Sequence, residues 1–318
     1  MATYAYTQSG LATDLNTGAV NGAGTFSPAD AQKIADFLAS KGVFSDTFGY
    51  ADLVVPGDPD AVNPGEEFTI YTDAPDAGFN VPGANGIAIF DTDGDVDATF
   101  NGGGNKVVFT NVGDDTLTAM TGSNYIDTGA GDDYITTGAG NDTLLGGAGN
   151  DTLLGGAGND SLVGGGGEDS IVGGTGNDTV IAGGGDDYVD AGSGDDFVNA
   201  GNGNDYVIGG AGNDTIIGGA GNDTILGGSG DDRITDTMGV GGNASLTGGS
   251  GDDTFFLTMA GGGSATVSGG SGNDDVLNIY TTANITGETG KPGGITLITF
   301  DDGSQIEVSG IEEIKINP

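Results

Sequence analysis

From Thr128 to Thr235 one aliphatic residue recurs at every ninth position: Ile135, Leu144, Leu153, Leu162, Ile171, Val180, Val189, Val198, Val207, Ile216, Ile225 and Ile234. Neither a helix nor a simple alternating strand has that period. The residues on either side of each aliphatic are outward positions of a short strand, and the six positions between strands are rich in Gly and Asp. The pattern therefore predicts a strand, a turn, a second strand and a second turn, closing one coil every two rows. Stacked coils pair as parallel strands about 4.8 Å apart, so twelve rows give six coils and a body about 29 Å long. The core holds one Ile, Leu or Val per strand.

The row is G-G-x-G-x-D-x-U-x, with U apolar. Position six is Asp in all twelve rows: Asp133, Asp142, Asp151, Asp160, Asp169, Asp178, Asp187, Asp196, Asp205, Asp214, Asp223 and Asp232. Two weaker rows precede in phase, one with Asp115 and Leu117, the next with Asn124 and Ile126. After twelve further residues Gly248–Phe256 repeats the phrase with Asp253, and after another twelve Gly269–Leu277 repeats it with Asp274. The expected organisation is an N-terminal region over 1–109, a roll over 110–277 with its regular part at 128–235, and a C-terminal cap over 278–318. The cap contains Ile295–Phe300 and Gln305–Ser309 around Asp301-Asp302-Gly303, which reads as a β-hairpin. In the N-terminal region Ser27 suits a helix N-cap and Pro28 the first helical position, so a helix is expected over about 28–41. Strands are expected at Glu67–Thr72, Ile87–Phe90 and Lys106–Thr110, merging into the roll. The fold class is all-β: a parallel β-roll with one N-terminal helix and a C-terminal hairpin cap.

Charge changes the picture. The chain has 6 Lys+Arg against 47 Asp+Glu, a formal net charge of −41. Nucleic acid and anionic membrane surfaces repel such a chain, and no apolar run is long enough for membrane insertion. Stacking the turns brings the Asp of one row beside the Asp two rows later. Such carboxylates repel unless a cation lies between them. Carboxylate oxygens and the carbonyls of Gly-rich turns form a hard, all-oxygen donor set suited to Ca²⁺, whereas Mg²⁺ demands a tighter octahedron. Residues 128–235 carry 18 acidic side chains and one Arg, net −17. Ten pairs of successive Asp predict about ten ions or more, enough to neutralise the roll. The candidate ligands are the twelve Asp above with Asp115, Asp253 and Asp274. Asp91-Thr-Asp-Gly-Asp-Val-Asp97 looks like part of an EF-hand loop, but Gly94 stands fourth and Gly102 stands twelfth, so a solvated polar turn is the expected reading.

The nonapeptide resembles the RTX (repeats-in-toxin) calcium-binding family. The likeness is specific over 128–235, good over 110–127 and 248–277, and absent over 1–90. It implies export by type I secretion machinery through an uncleaved C-terminal signal, and a secreted or cell-surface location. The absence of Cys and of a basic and apolar N-terminal leader in MATYAYTQSG agrees with that expectation. In low cytosolic Ca²⁺ the self-repelling, thinly cored roll is expected to stay unfolded and to fold outside.

No active site is expected. Without His, neither a Ser-His-Asp triad nor a His-based zinc site can form, and no G-x-S-x-G elbow occurs. Position nine faces outward yet is aliphatic in eight of the twelve rows, including Leu145, Leu154, Val163 and Ile181. Tyr134, Tyr188, Phe197 and Tyr206 stand at position seven, with Tyr188 and Tyr206 on adjacent coils of one face, placed to stack. Ordinary strand propensity accounts for part of this. Continuous apolar stripes also suit packing against another surface. The reading is a calcium-dependent structural protein that associates with itself in a surface layer or matrix filament, as short RTX proteins without an enzymatic domain do. The alternative is an adhesin or carbohydrate-binding module carried by residues 1–109, with cell-surface polysaccharide as partner. Ice binding through a repeated outward Thr is disfavoured, because only Thr175 occupies that turn position.

Overall fold

A computed structural model describes residues 94–110, 112–291 and 294–317, together with the backbone of strands at Leu53–Val54, Phe68–Tyr71, Phe79–Val81 and Gly86–Phe90. The expected helix at 28–41 lies outside the described residues. Every regular element among the described residues is a β-strand, and pairing is parallel except in the C-terminal meander, where Ile295–Phe300 pairs antiparallel with both Ile285–Lys291 and Gln305–Ser309. The protein is a parallel β-solenoid. It divides into two compact units, one ending at Thr137 and the other beginning at Gly138.

In the second unit strands alternate between two parallel sheets. One runs from Thr143–Ala148 through Ser161–Gly166 and Thr179–Gly184 to Thr254–Met259, Val276–Tyr280 and Glu313–Asn317; the other runs from Thr152–Ala157 through Ser170–Thr175 to Ser264–Ser271 and the hairpin. The register advances by eighteen residues per coil: Leu144 faces Leu162, which faces Val180. The repeat's aliphatic position is the core, with Leu144, Leu153, Leu162, Ile171 and Val180 all fully buried.

Strands are longer than the three residues expected. They run for six, as in Thr143–Ala148, and absorb the Gly-Gly pair, leaving turns such as Gly149-Asn150-Asp151. Parallel pairing continues through the glycines because a backbone without Cβ lets the coils stack closely. Positions two and four are Gly in all twelve rows. Gly156 and Gly158 show why. Their φ values are +103° and +138°, and a Cβ would lie 2.3 Å from the carbonyl oxygen of Gly138 and 1.8 Å from that of Gly140. Position one tolerates Ala182, Ala191 and Ala200.

The two twelve-residue insertions are not loops. Each carries a strand in sequence with the others, Asn243–Ser250 and Ser264–Ser271, and adds Met238, Met259, Ala244 and Ala265 to the core. The hairpin forms where expected: Thr296–Thr299 pairs antiparallel with Gln305–Val308, and Oδ1 of Asp302 accepts the backbone N–H of Ser304 at 2.8 Å across the turn. Its second strand continues the roll, pairing in parallel with Ser264–Ser268.

In the first unit Phe68–Tyr71, Gly86–Phe90, Lys106–Phe109 and Tyr125–Ala130 follow one another in one sheet, and Phe79–Val81, Asp97–Phe100 and Thr116–Thr121 in the other. The strands expected at 67–72, 87–90 and 106–110 are all present, and coils wind well before the first consensus row.

Candidate metal centre

Each turn carries its Asp inward rather than out to solvent. Asp160, Asp169, Asp178, Asp187, Asp196, Asp205, Asp214, Asp223, Asp232 and Asp253 are all essentially buried, as are Asp115, Asp133, Asp142 and Asp151. They form two ladders. Oδ1 of Asp160 accepts the backbone N–H of Asp142 at 2.7 Å, Oδ1 of Asp178 that of Asp160 at 2.7 Å, and the pattern continues through Asp196, Asp214, Asp232 and Asp253. The second ladder joins Asp151, Asp169, Asp187, Asp205 and Asp223 in the same way. In the first unit Asp115 donates its N–H to Oδ1 of Asp133 at 2.8 Å. Position five forms an opposed outer ladder, in which Asn159 donates its N–H to Oδ1 of Asn141, and Asn177 to Oδ1 of Asn159.

The inner ladder uses one oxygen of each carboxylate. The other, Oδ2 of Asp160, Asp169, Asp178, Asp187, Asp196, Asp205, Asp214, Asp232 and Asp253, is buried with no hydrogen-bond partner. A buried carboxylate oxygen left unpaired is costly, so each of these oxygens requires either a proton or a cation. Burial raises the carboxyl pKa of Asp187, Asp196 and Asp232 to about 7, and that of Asp160, Asp205 and Asp253 to about 6; the backbone N–H bond opposes this and neighbouring carboxylates add to it.

Side chains alone do not complete a metal shell. Among the described residues no three acidic side chains converge on one point. Further oxygens stand close by in the carbonyls of positions two and four, which project from one coil toward the next, as Gly138 and Gly140 do toward Gly156 and Gly158. Carboxylate and carbonyl oxygens without a nitrogen or sulfur donor match a hard divalent ion, and Ca²⁺ in particular. A family model, the RTX calcium-binding nonapeptide repeat in four copies, matches residues 109–144, 136–171, 145–180, 163–198, 199–234 and 238–257. These are RTX calcium-binding nonapeptide repeats. No curated protein matches the chain.

Of the RTX positions expected to bind, one is displaced. Asp274 is exposed, and its N–H donates to Asp252 Oδ1 at 3.3 Å. The inward place belongs to Asp275, which is fully buried and accepts the N–H of Asp253 on Oδ1 at 2.7 Å. The row there has ten residues, so that Leu277, not Val276, faces Phe255 in the core. The packing of Leu277 and Ile279, both fully buried, fixes that register. The ladder ends on Glu312, whose Oε2 accepts the N–H of Asp275 at 2.8 Å.

Two further departures carry no RTX consensus letter. Asp236 stands at position one, fully buried beside Asp223, and burial followed by the charge of Asp223 raises its pKa to about 7. Lys106 stands at position six of 101–109, NGGGNKVVF, with its side chain inside the turn. Its Nζ donates to the carbonyls of Gly104 at 2.5 Å and Gly102 at 3.3 Å, and burial lowers its pKa. The loop at 91–97 lies only partly within the described residues.

Proposed function

We propose that this chain is a secreted structural protein whose roll folds when Ca²⁺ binds outside the cell, and that the folded roll associates with itself in a surface layer or matrix filament. The observation that carries the calcium-dependent folding is the inner ladder: buried carboxylates in register, of which Asp160, Asp169, Asp178, Asp187, Asp196, Asp205, Asp214, Asp232 and Asp253 commit one oxygen to a backbone N–H and leave the other unmet. Asp115, Asp133, Asp142, Asp151, Asp160, Asp169, Asp178, Asp187, Asp196, Asp205, Asp214, Asp223, Asp232, Asp253 and Asp275 are the residues that would hold the ions, with carbonyls of the second and fourth glycines beside them. Bound Ca²⁺ supplies the positive charge that the buried acids lack. The glycines at positions two and four let the coils approach closely enough to share ions. The aliphatic column closes the core once the turns are held.

The thin core explains why the metal matters. One aliphatic side chain per row stabilises by only about 1.5–3 kcal/mol, against about 1–2 kcal/mol of backbone ordering for each residue fixed. Binding free energy therefore becomes folding free energy, and the chain is a disordered polyanion at low Ca²⁺ and a rod at millimolar Ca²⁺. That switch suits passage through a type I channel in unfolded form.

Support for assembly comes from the surface. Tyr188 and Tyr206 stack with ring centroids 5.7 Å apart and planes 4° from parallel, both substantially exposed, and Phe197 and Ile181 are exposed too. On the last strand, Glu313–Asn317, Ile314 and Ile316 pair with Leu277 and Ile279. They are 36% and 38% exposed, whereas those partners are fully covered. Among the described residues that strand is the last of its sheet, an edge on which another chain can pair. Far-UV circular dichroism through a Ca²⁺ titration tests the folding half: strand signal rises between chelator and 10 mM Ca²⁺, and a flat titration would refute it. Light scattering and electron microscopy in Ca²⁺ buffer test assembly, and a strictly monomeric loaded protein at high concentration would refute that half.

A further inference from the structure

The turn at Lys106 has the same backbone as the acidic turns and the opposite charge. Residues 101–109 are in phase with the rows that follow, with Gly102 and Gly104 at positions two and four and Lys106 where the others have Asp. The inner ladder is kept, since the N–H of Lys106 donates to Oδ1 of Asn124 at 3.0 Å, just as Asp142 donates to Asp160. Only 2% of Lys106 is exposed. Its ammonium is set against the carbonyls of Gly102 and Gly104, the second of which points at Gly122 of the next coil, where a Cβ would approach to 2.5 Å. Asn124 continues the arrangement. Its amide N–H₂ donates to the carbonyls of Gly122 at 2.9 Å and Ala119 at 3.4 Å.

We propose that Lys106 is a covalently tethered replacement for calcium: its ammonium holds the carbonyls of the second and fourth glycines that the acidic turns present to Ca²⁺, so the coils around 97–128 form without metal. The proposal rests on the calcium-binding reading of the acidic turns. An ammonium has three donors for carbonyl oxygens and one positive charge, which is what an empty carbonyl cage lacks. Asn124, a neutral donor and acceptor, removes the carboxylate that would otherwise face Lys106 across the coil and call for an ion of its own. In a stacked array each coil is stabilised chiefly by its neighbours, and the first coil formed carries the nucleation cost. A coil with a built-in cation provides that nucleus before any ion binds. Lys106 is one of six basic residues in a chain of net charge −41, and burying it is justified by this electrostatic role.

Hydrogen–deuterium exchange on the full chain tests this, read on peptides spanning 97–128. In chelator, wild type and K106R exchange at least about tenfold more slowly there than K106M. K106D combined with N124D, which rebuilds the acidic step, exchanges freely in chelator and regains protection in 10 mM Ca²⁺. Free exchange of wild type in chelator would overturn the proposal. So would K106M protected as well as wild type, or a double variant that calcium fails to rescue while it protects 142–235. Peptides from 142–235 report separately on the acidic turns: failure of calcium to protect them defeats the calcium-folding reading and leaves the result at 97–128 standing.

Discussion

The turns at Asp187 and at Lys106 carry opposite charges at position six and solve the same problem in opposite ways. Both keep glycine at positions two and four, both bury the residue at position six, and both pass a backbone N–H to the side chain one coil later. At Asp187 a carboxylate oxygen is left over, to be met by a proton or by a cation from solution. At Lys106 the carbonyls already meet an ammonium. On the calcium-binding reading, the backbone calls for a cation in the turn. The side chain decides whether it is bound or built in.

The strongest way to break that contrast is pH. The carboxyls of Asp160, Asp187, Asp196, Asp205, Asp232 and Asp253 are raised in the fold from the ordinary 3.8 to about 6 or 7. A raised folded-state pKa favours the folded state fully below the unfolded value, about 4, and that advantage is lost as pH rises through 6 to 7. In chelator, the acidic coils should therefore gain strand structure on acidification from pH 8 to pH 5, with protons standing in for metal, while the midpoint for Ca²⁺ rises. Circular dichroism with a parallel scattering trace checks this; loss of strand signal on acidification would contradict it.

A smaller effect, common to both kinds of turn, follows from Gly158→Ala. The added Cβ meets the Gly140 carbonyl and φ is +138°, so stability of the calcium-loaded roll should fall by more than about 2 kcal/mol in a thermal melt. Gly122→Ala, at φ +91° and 2.5 Å from the Gly104 carbonyl, should weaken the Lys106 turn similarly, with or without calcium. Equal tolerance of alanine at both sites would show that the carbonyl contacts are not needed.

Asp187→Asn sharpens the comparison because its sign depends on the metal. The amide keeps an acceptor for the N–H of Asp169 but loses a buried charge. Calcium-loaded protein should need about tenfold more Ca²⁺ at the midpoint, roughly 1.4 kcal/mol, whereas metal-free protein should become slightly easier to fold. Calorimetric titration and a chelator melt together read both signs, and destabilisation in chelator would count against the metal role. The least effect belongs to the surface. Replacing Tyr188 and Tyr206 by Ser removes a stacked pair contributing about 0.5–1.5 kcal/mol, so melting should change little, while scattering in Ca²⁺ buffer should fall if that face drives association.

Much of the turn chemistry was legible from residue order. The nine-residue period identified Asp142 through Asp232 as one repeated position, and stacking two rows apart follows from the strand alternation that buries Leu144 and Leu153. Stacking of Tyr188 on Tyr206 was legible for the same reason. What was hidden lies where spacing changes. A ten-residue row moves the inward acid from Asp274 to Asp275, because burial of Leu277 and Ile279 outweighs adherence to the motif. Glu312 lies thirty-seven residues beyond Asp275, with the hairpin between, so no period points to it. Lys106 was overlooked because it contradicts the consensus in charge while obeying it in geometry. Asp236 was overlooked because its neighbour, Asp223, is reached only by stacking strands.

The sequence by itself determined the winding, the spacing of the acids and their number per coil, since a strict period leaves few ways to bury one aliphatic residue in nine. Only the tertiary structure decided which oxygen of each carboxylate is spent on a backbone N–H, which acid faces inward in the irregular rows, and what cation serves the turn at Lys106. The first two choices depend on contacts between residues eighteen or more apart and the third on an ammonium folded back onto its own turn, and in each packing and desolvation, rather than local pattern, set the energy.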